Sequence, residues 1–145
     1  MTYLADEGVA FGIGFLERLD INAKPISLSQ GPDSIDVLNS IKSNVANILN
    51  SRLGEAQSAP NLGLIDFNDA SLGTMDLSLR VKLAVNSCLS IYEPRLCNLQ
   101  IQTVTDPSNP LSLCFQIDAD INSSALHEKV KISLILGNDR KYRVY

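Results

Sequence analysis

The spacing of the apolar residues changes once along this chain, and that change limits the folds it can adopt. Before Pro94, the apolar residues of two long segments recur at steps of three and four, which is typical of amphipathic helices. After Leu96 they alternate with polar residues, which is typical of strands that bury one face. Helices followed by strands within 145 residues predict an α+β domain, in which two main helices pack on an antiparallel sheet.

We predict two main helices, each ended by a recognisable signal. The first runs from about Ile35 to Leu53, and Gly54 suits a left-handed position after its end. The second begins at Thr74 or Asp76 and ends before Pro94, because the residue preceding a proline is disfavoured in the helical conformation. One face of the first helix is polar but nearly uncharged, which suits burial against a partner as well as exposure to solvent. That face carries Asn39, Ser40, Ser43, Asn44, Asn47 and Asn50.

The sheet is predicted to contain three to four strands, all in the last third of the chain. A proline-bounded loop separates the first two strands, and a Gly-Asn-Asp turn precedes the short last one. Alternating residues place the first three strands at 99–104, 111–121 and 130–136, and the turn places the last one at 141–144.

The remaining segments divide the chain into an arm and one domain. Residues 1–30 mix apolar residues with Gly and Pro, and we expect a mobile or partner-ordered arm with about two turns of helix at 11–19. Residues 31–145 then form a single domain. The connection at 55–73 contains turn residues and apolar residues, so it is predicted to pack down as an ordered loop.

Composition excludes several classes of function. With 12 basic and 16 acidic residues the formal net charge is -4, which argues against nucleic-acid binding by phosphate neutralisation. No apolar run approaches the roughly 18 residues that would span a bilayer, and no basic residue precedes the first apolar stretch as in a secretory signal. The three cysteines have no metal-ligand spacing. We therefore expect a cytoplasmic protein with reduced, mostly buried thiols, no bound metal and no cofactor.

Candidate catalytic groups are few. The only histidine, His127, lies in a polar connection without a nucleophile nearby in sequence, which favours a solvated position over a general base. Carboxylates near the helix ends could form the acid pair of a glycosidase. Those that precede the second helix, Asp66, Asp69 and Asp76, are better explained by the favourable end of the helix dipole. A peptidoglycan muramidase remains an alternative function.

The segment that follows the second helix is the most informative one. Glu93 lies at the end of that helix, where a carboxylate faces the negative end of the dipole and requires a cationic partner. Arg95 can supply that partner only after the chain has turned at Pro94. We therefore expect an ion pair between Glu93 and Arg95 at this turn.

These residues complete a resemblance that extends over about residues 15–144. Its elements are Phe15–Leu19, the Asn-Ser-Arg-Leu-Gly sequence at 50–54 and the Glu-Pro-Arg-Leu sequence at 93–96. In this order, around two helices, they resemble the TssE-type baseplate subunit of type VI secretion systems. That family is the bacterial branch of the contractile-phage baseplate wedge proteins, once described as lysozyme-like. Ile65 is a departure, because the family usually has proline there.

The resemblance implies a structural role without catalysis. Members of this family contact the other wedge subunits at the cytoplasmic face of the inner membrane and template the contractile sheath. The basic end of this chain agrees with such a role, because an unpaired edge strand can accept a strand from a sheath subunit. A basic edge is more often a protection against aggregation. The candidate partner-binding residues are Glu93, Pro94, Arg95, Leu96, Arg52, Arg140, Lys141, Tyr142 and Arg143.

Two outcomes are open for the Glu93–Arg95 pair. If the pair contacts a partner, Glu93→Ala or Arg95→Ala leaves the domain folded but abolishes sheath assembly. If the pair is a structural ion pair, the same variants lose folded protein. A wedge subunit of a contractile phage tail or of an extracellular injection particle is a further alternative function.

Overall fold

The computed structural model describes residues 13–22, 33–64, 74–109, 112–122, 128–137 and 141–145. In these ranges three helices precede four strands, which confirms the predicted α+β class. The elements are α1 (Phe15–Arg18), α2 (Ser34–Asn50), α3 (Thr74–Tyr92), β1 (Leu96–Val104), β2 (Leu113–Ile121), β3 (Lys129–Leu136) and β4 (Tyr142–Val144). No helix within the described ranges has both the length and the apolar character needed to cross a membrane.

The strands form one antiparallel sheet in chain order, β1-β2-β3-β4. β2 and β3 pair without interruption from Leu113↔Leu136 to Asp120↔Lys129. The register between β1 and β2 shifts between Cys97 and Gln100, which marks a bulge in β1. Asn98 lies in this bulge with a φ of 53°, a conformation that asparagine adopts more readily than most residues. β1 and β4 are the edge strands of the described sheet.

The core lies between the two long helices and one face of the sheet. Alternate residues of β2 and of β3 are buried, as expected for strands with one covered face. Each long helix contributes one buried stripe at steps of three and four residues, which confirms the helical period seen in the sequence. The stripes are Val37, Ile41, Val45, Ile48 and Leu49 on α2, and Val81, Val85, Cys88 and Leu89 on α3.

α2 ends earlier than predicted, at Asn50 instead of Leu53. Ser51 is extended, with a ψ of 144°, and Arg52 forms a parallel bridge with Leu64. The Leu64 N–H donates to the Ser51 carbonyl at 3.1 Å, and the Leu53 N–H donates to the Leu64 carbonyl at 3.3 Å. The chain leaves the helix because it pairs with its own later connection, a contact that local periodicity does not encode.

Two glycines shape the connection that follows α2. Gly54 has the predicted positive φ, 85°, but it lies within the connection and not at the helix end. Gly63 has a φ of 99°, and a Cβ atom there would collide with the Ser51 carbonyl. The absence of that atom lets Leu64 enter the core, where it is buried. The predicted packing of this connection is therefore seen at Leu62 and Leu64. Most of 55–61 is exposed, and 65–73 lies outside the described residues.

The described part of the predicted arm contacts the domain. α1 is a single turn of four residues, shorter than predicted. Ile13, just before it, packs against the core. Residues 1–12 and 23–32 of the predicted arm lie outside the described ranges.

Candidate partner-binding site

The Glu-Pro-Arg-Leu sequence forms the turn between α3 and β1. The Glu93 N–H makes a helical hydrogen bond to the Leu89 carbonyl at 2.9 Å, and the Leu96 N–H donates to the Glu93 carbonyl at 3.1 Å. Pro94, exposed at the corner, prevents the helix from continuing. Leu96 is buried and begins β1. The turn brings the side chain of Arg95 back beside that of Glu93.

Glu93 and Arg95 form the predicted ion pair, and the pair lies inside the fold. Arg95 donates from Nε to Glu93 Oε1 at 2.7 Å and from Nη2 to Glu93 Oε2 at 2.8 Å. These two parallel bonds are the strongest arrangement available to a guanidinium and a carboxylate. The Glu93 side chain is 1% exposed and that of Arg95 is 13% exposed. Removing two charges from water is costly, and close pairing offsets that cost.

Uncharged side chains of α2 complete the hydrogen bonding of this pair. Asn44 donates from Nδ2 to Glu93 Oε2 at 2.7 Å, and Arg95 donates from Nη1 to Ser40 Oγ at 2.9 Å. Ser40 and Asn44 are four residues apart, so they lie on the same side of the helix. Neither residue was predicted to be a site residue. The uncharged polar face of this helix was the signal that could have identified them.

The same group of residues ties α1 to the domain. Ser40 Oγ donates to Glu17 Oε2 at 2.5 Å, and the Gly14 N–H donates to the same oxygen at 3.2 Å. A chain of hydrogen bonds thus runs from Glu17 through Ser40 and Arg95 to Glu93 and Asn44. We call these five residues the polar cluster. It joins α1, α2 and the turn between α3 and β1.

The polar cluster does not suit glycoside hydrolysis. A muramidase requires a protonated carboxylic acid and a second carboxylate in a cleft that admits a sugar. Glu93 is almost fully buried, and its two oxygens accept four hydrogen bonds from Arg95 and Asn44. Within the described ranges, no group of three or more His, Cys, Asp or Glu side chains is placed to hold a metal ion. The cluster has the geometry of a fixed structural joint.

The other predicted partner-binding residues that the structure describes are Arg52 and those at β4, and they lie near the C-terminal end of α2. Arg52 is exposed in the bridge to Leu64, and Lys141 and Arg143 are exposed at β4. Tyr142 is 7% exposed, and burial raises the pKa of its hydroxyl to about 12. The helical rise separates Asn44, at the polar cluster, from Asn50, at the end of α2, by about 9 Å. Four other residues considered above lie outside the described ranges: Arg140, His127, Asp66 and Asp69.

Asn50, the last residue of α2, holds β4 in place. The Tyr142 N–H donates to Asn50 Oδ1 at 2.9 Å, and Asn50 Nδ2 donates to the Tyr142 carbonyl at 2.9 Å. One side-chain amide therefore makes the two bonds that a residue of a neighbouring strand would make. Asn50 belongs to the Asn-Ser-Arg-Leu-Gly motif, but its contact could not be predicted because its partner is 92 residues away.

The three cysteines are free thiols: Cys88 is buried, and Cys97 and Cys114 are half-buried. Burial raises the pKa of the Cys88 thiol, while a hydrogen bond with the backbone of Gly63 acts in the opposite direction. Cys88 is part of the buried stripe of α3 and lies outside the polar cluster.

A layer of two helices on a four-strand antiparallel sheet, with its most buried charges paired internally, defines a structural domain built to hold a fixed shape. Comparison of the sequence with known families identifies the family of this domain. Residues 36–125 match the model of the family described as baseplate wedge protein gp25, and this chain belongs to that family. Baseplate wedge proteins are structural components, in agreement with the geometry of the polar cluster.

Two solved structures share the fold. A protein designated a tail lysozyme from Geobacter sulfurreducens aligns with a TM-score of 0.51 and 18% identity, covering 76% of this chain and 98% of its own. A chain of the baseplate complex from the type VI secretion system aligns with a TM-score of 0.52 and 18% identity, covering 70% of this chain and 95% of its own. No curated protein matches the sequence. At this identity the two structures show the shared fold, and the family assignment rests on the sequence match.

Proposed function

We propose that this chain is a structural wedge subunit in the baseplate of a type VI secretion system, where it joins the other wedge subunits and templates the contractile sheath. Membership of the baseplate wedge family over residues 36–125 is the observation that carries this proposal. The fold shared with a chain of the type VI baseplate complex supports the choice of secretion system. The subunit then works at the cytoplasmic face of the inner membrane and has no catalytic activity.

The turn between α3 and β1 is the proposed contact with the other wedge subunits. Glu93 and Leu96 are buried, so they contribute by fixing the shape of the turn. Pro94 is exposed and Arg95 is partly exposed, and these two residues present the turn to a partner. Arg52, exposed after α2, adds a second positive side chain to the proposed wedge surface.

The sheet edge is the proposed contact with the sheath. Main-chain hydrogen bonds to an added strand supply affinity, and side chains beside the edge select the partner. The basic residues Arg140, Lys141 and Arg143 are proposed to steer an acidic sheath surface toward this end of the domain, since charge complementarity acts mainly on encounter and orientation.

The test of this function is removal of the chain from its host, with fluorescently labelled sheath as the readout. We expect the deletion strain to form no extended sheaths and the returned wild-type chain to restore them. Arg52→Glu should reduce co-purification of the chain with the other wedge subunits. Arg80→Glu, which changes an exposed arginine on α3, is the matched control and should not. Normal sheath numbers in the deletion strain would overturn the proposal.

A separate assay addresses the muramidase alternative. We expect the purified chain to release no fragments from purified peptidoglycan, because the Glu93 carboxylate is buried and hydrogen-bonded within the fold. Peptidoglycan turnover that disappears in Glu93→Gln would instead identify a glycosidase and reject the purely structural role.

A further inference from the structure

One face of the sheet carries no helix in the part of the chain that the structure describes. The two long helices cover the face that holds the buried residues of β2 and β3. On the other face, which we call the outer face, the side chains of these strands are exposed or half-buried. The outer face carries Cys114, Gln116, Asp118 and Asp120 on β2, and Lys129, Lys131, Ser133 and Ile135 on β3.

Charge on the outer face is sorted by strand. The charged residues that β2 presents there, Asp118 and Asp120, are both acidic. Those that β3 presents, Lys129 and Lys131, are both basic. The register sets them side by side, as Asp118↔Lys131 and Asp120↔Lys129. Two adjacent columns of opposite sign therefore run along the two central strands of the sheet.

Within one subunit these columns are not joined by direct ion pairs. Asp120 Oδ2 accepts a hydrogen bond from Asn98 Nδ2 at 2.8 Å. Asp118 Oδ1 accepts one from Gln116 Nε2 at 3.1 Å. Among the hydrogen bonds and ion pairs of the described residues, none joins either lysine to either aspartate. Both lysines are exposed, and the four charged side chains line an open groove of about 300 Å³. A second surface can therefore reach them.

A second copy of the chain presents the complement of these columns. When two outer faces meet about a two-fold axis that runs along the strands between β2 and β3, β2 of each copy lies over β3 of the other. Each row of side chains keeps its height along that axis, so each aspartate faces a lysine of the second copy. The facing pairs are Asp118 with Lys131, Asp120 with Lys129, Gln116 with Ser133 and Cys114 with Ile135.

The geometry of packed sheets suits this arrangement. Sheets that pack face to face lie about 10 Å apart, a gap that an extended lysine and an aspartate span together. Their strands stay within about 30° of each other, so the rows match best beside the axis, where the charged residues of both copies lie. A two-fold axis across the strands instead places β2 over β2 and β3 over β3, which brings no opposite charges together.

We propose that the outer face is a surface for self-association, on which two copies of this chain form a dimer through the aspartates of β2 and the lysines of β3. Self-association is a property of the free subunit and is independent of the proposed baseplate role. By strand spacing and rise, the outer face covers about 400 Å² per subunit, which is at the low end for specific interfaces. We therefore expect a weak dimer that forms at high protein concentration and low salt.

Sedimentation of the full-length chain over a range of concentrations tests this directly. In low salt we expect the average mass of the wild type to rise from monomer toward dimer. At about 1 M salt, where charges are screened within about 3 Å, it should stay monomeric. Lys129→Glu with Lys131→Glu makes the outer face acidic, and Asp118→Lys with Asp120→Lys makes it basic. Each double variant alone should dimerise at least about tenfold more weakly than wild type, because like charges then face each other.

The mixture of the two double variants is the sharpest measurement. An acidic copy over a basic copy restores every facing charge pair, so we expect a heterodimer where neither variant associates with itself. Arg80→Glu with Lys82→Glu makes the same change of net charge as the acidic variant, but on α3, and it should dimerise as wild type does. Circular dichroism checks that each variant is folded, because like charges on neighbouring strands repel each other.

The wild type alone can overturn the proposal. If it stays monomeric up to about 1 mM in low salt, the outer face does not self-associate, whatever the variants do. If it dimerises and both double variants keep the dimer, the contact lies on another surface. If the matched control on α3 loses the dimer as well, net charge and not the outer face controls association. If the mixture stays monomeric while the wild type dimerises, the two-fold arrangement is wrong.

Discussion

One helix, α2, makes two polar contacts that differ in charge and depth. At its middle, Ser40 and Asn44 complete the hydrogen bonding of a buried ion pair. At its end, Asn50 bonds to the backbone of β4 from a position that is itself exposed. The first contact leaves a buried charge when one member is removed, whereas water can replace part of the second. Residues of similar polarity on one helix therefore have different energetic consequences.

This difference assigns separate tasks to the middle and to the C-terminal end of α2. The polar cluster fixes the turn between α3 and β1 and holds α1, so it sets the shape of the proposed wedge surface. Asn50 bonds to both main-chain groups of Tyr142, so it fixes the position of the last strand. The two contacts can be changed one at a time, because they share no residue.

The largest effect is expected at the polar cluster. Glu93→Ala and Arg95→Ala should each lower the free energy of unfolding by about 3–5 kcal/mol, because each leaves one buried charge without its partner. Urea unfolding followed by circular dichroism measures this loss. The internal position of the pair thus favours the structural outcome over a direct partner contact.

The double variant Glu93→Ala with Arg95→Ala is the control for that prediction. It removes both charges, so we expect it to be less destabilised than the sum of the two single variants. Single variants that unfold within about 1 kcal/mol of wild type, the range of an exposed ion pair, would show that the pair contributes little to the fold. The partner-contact explanation would then be the better one.

A smaller effect is expected at Asn50. Asn50→Ala removes both hydrogen bonds to Tyr142, and we expect a loss of about 1–3 kcal/mol together with faster exchange of the Tyr142 amide. Asn47→Ala is the matched control, because Asn47 is an exposed asparagine one turn earlier on α2. Equal stability of the two variants, with unchanged exchange at Tyr142, would show that Asn50 does not hold β4 in place.

Most of the fold could be predicted from periodicity and from the signals that end the helices. The steps of three and four residues located α2 and α3. Alternation located β2, β3 and the part of β1 after its bulge, and the Gly-Asn-Asp turn located β4. Pro94 located the end of α3. The ion pair could also be predicted, since a carboxylate at the negative end of a helix needs a nearby cation and Arg95 is two residues away.

The rest depends on contacts that are distant in sequence. Ser40 meets Arg95 across 55 residues, and Asn50 meets Tyr142 across 92 residues. Neither contact leaves a local pattern, so the polar face of α2 was equally compatible with solvent, a partner or the protein's own interior. The early end of α2 has the same origin, because Ser51 bonds to Leu64 only once the connection has folded back.

The smallest expected effect is a change of stability with pH at Tyr142, which is buried where β4 meets the end of α2. It depends on burial alone, whereas the effect at the polar cluster depends on charge pairing. Burial raises the pKa of Tyr142 to about 12, above the ordinary value near 10, because the ionised phenol is disfavoured inside the fold. Above pH 10 the unfolded chain therefore loses this proton first, and stability falls as pH rises toward 12, by about 1 kcal/mol at pH 11. Tyr142→Phe should lack this loss.

Urea unfolding at pH 9 and pH 11 measures this effect as a difference between wild type and Tyr142→Phe. Tyr145→Phe changes an exposed tyrosine, 58% accessible, in the same segment, and it should behave as wild type. Asn50→Ala connects the two predictions: if Asn50 keeps Tyr142 buried, the pKa of Tyr142 falls in this variant and the difference between the two pH values shrinks. An unchanged difference would mean that packing beneath the sheet, and not the bonds from Asn50, keeps the Tyr142 ring inside.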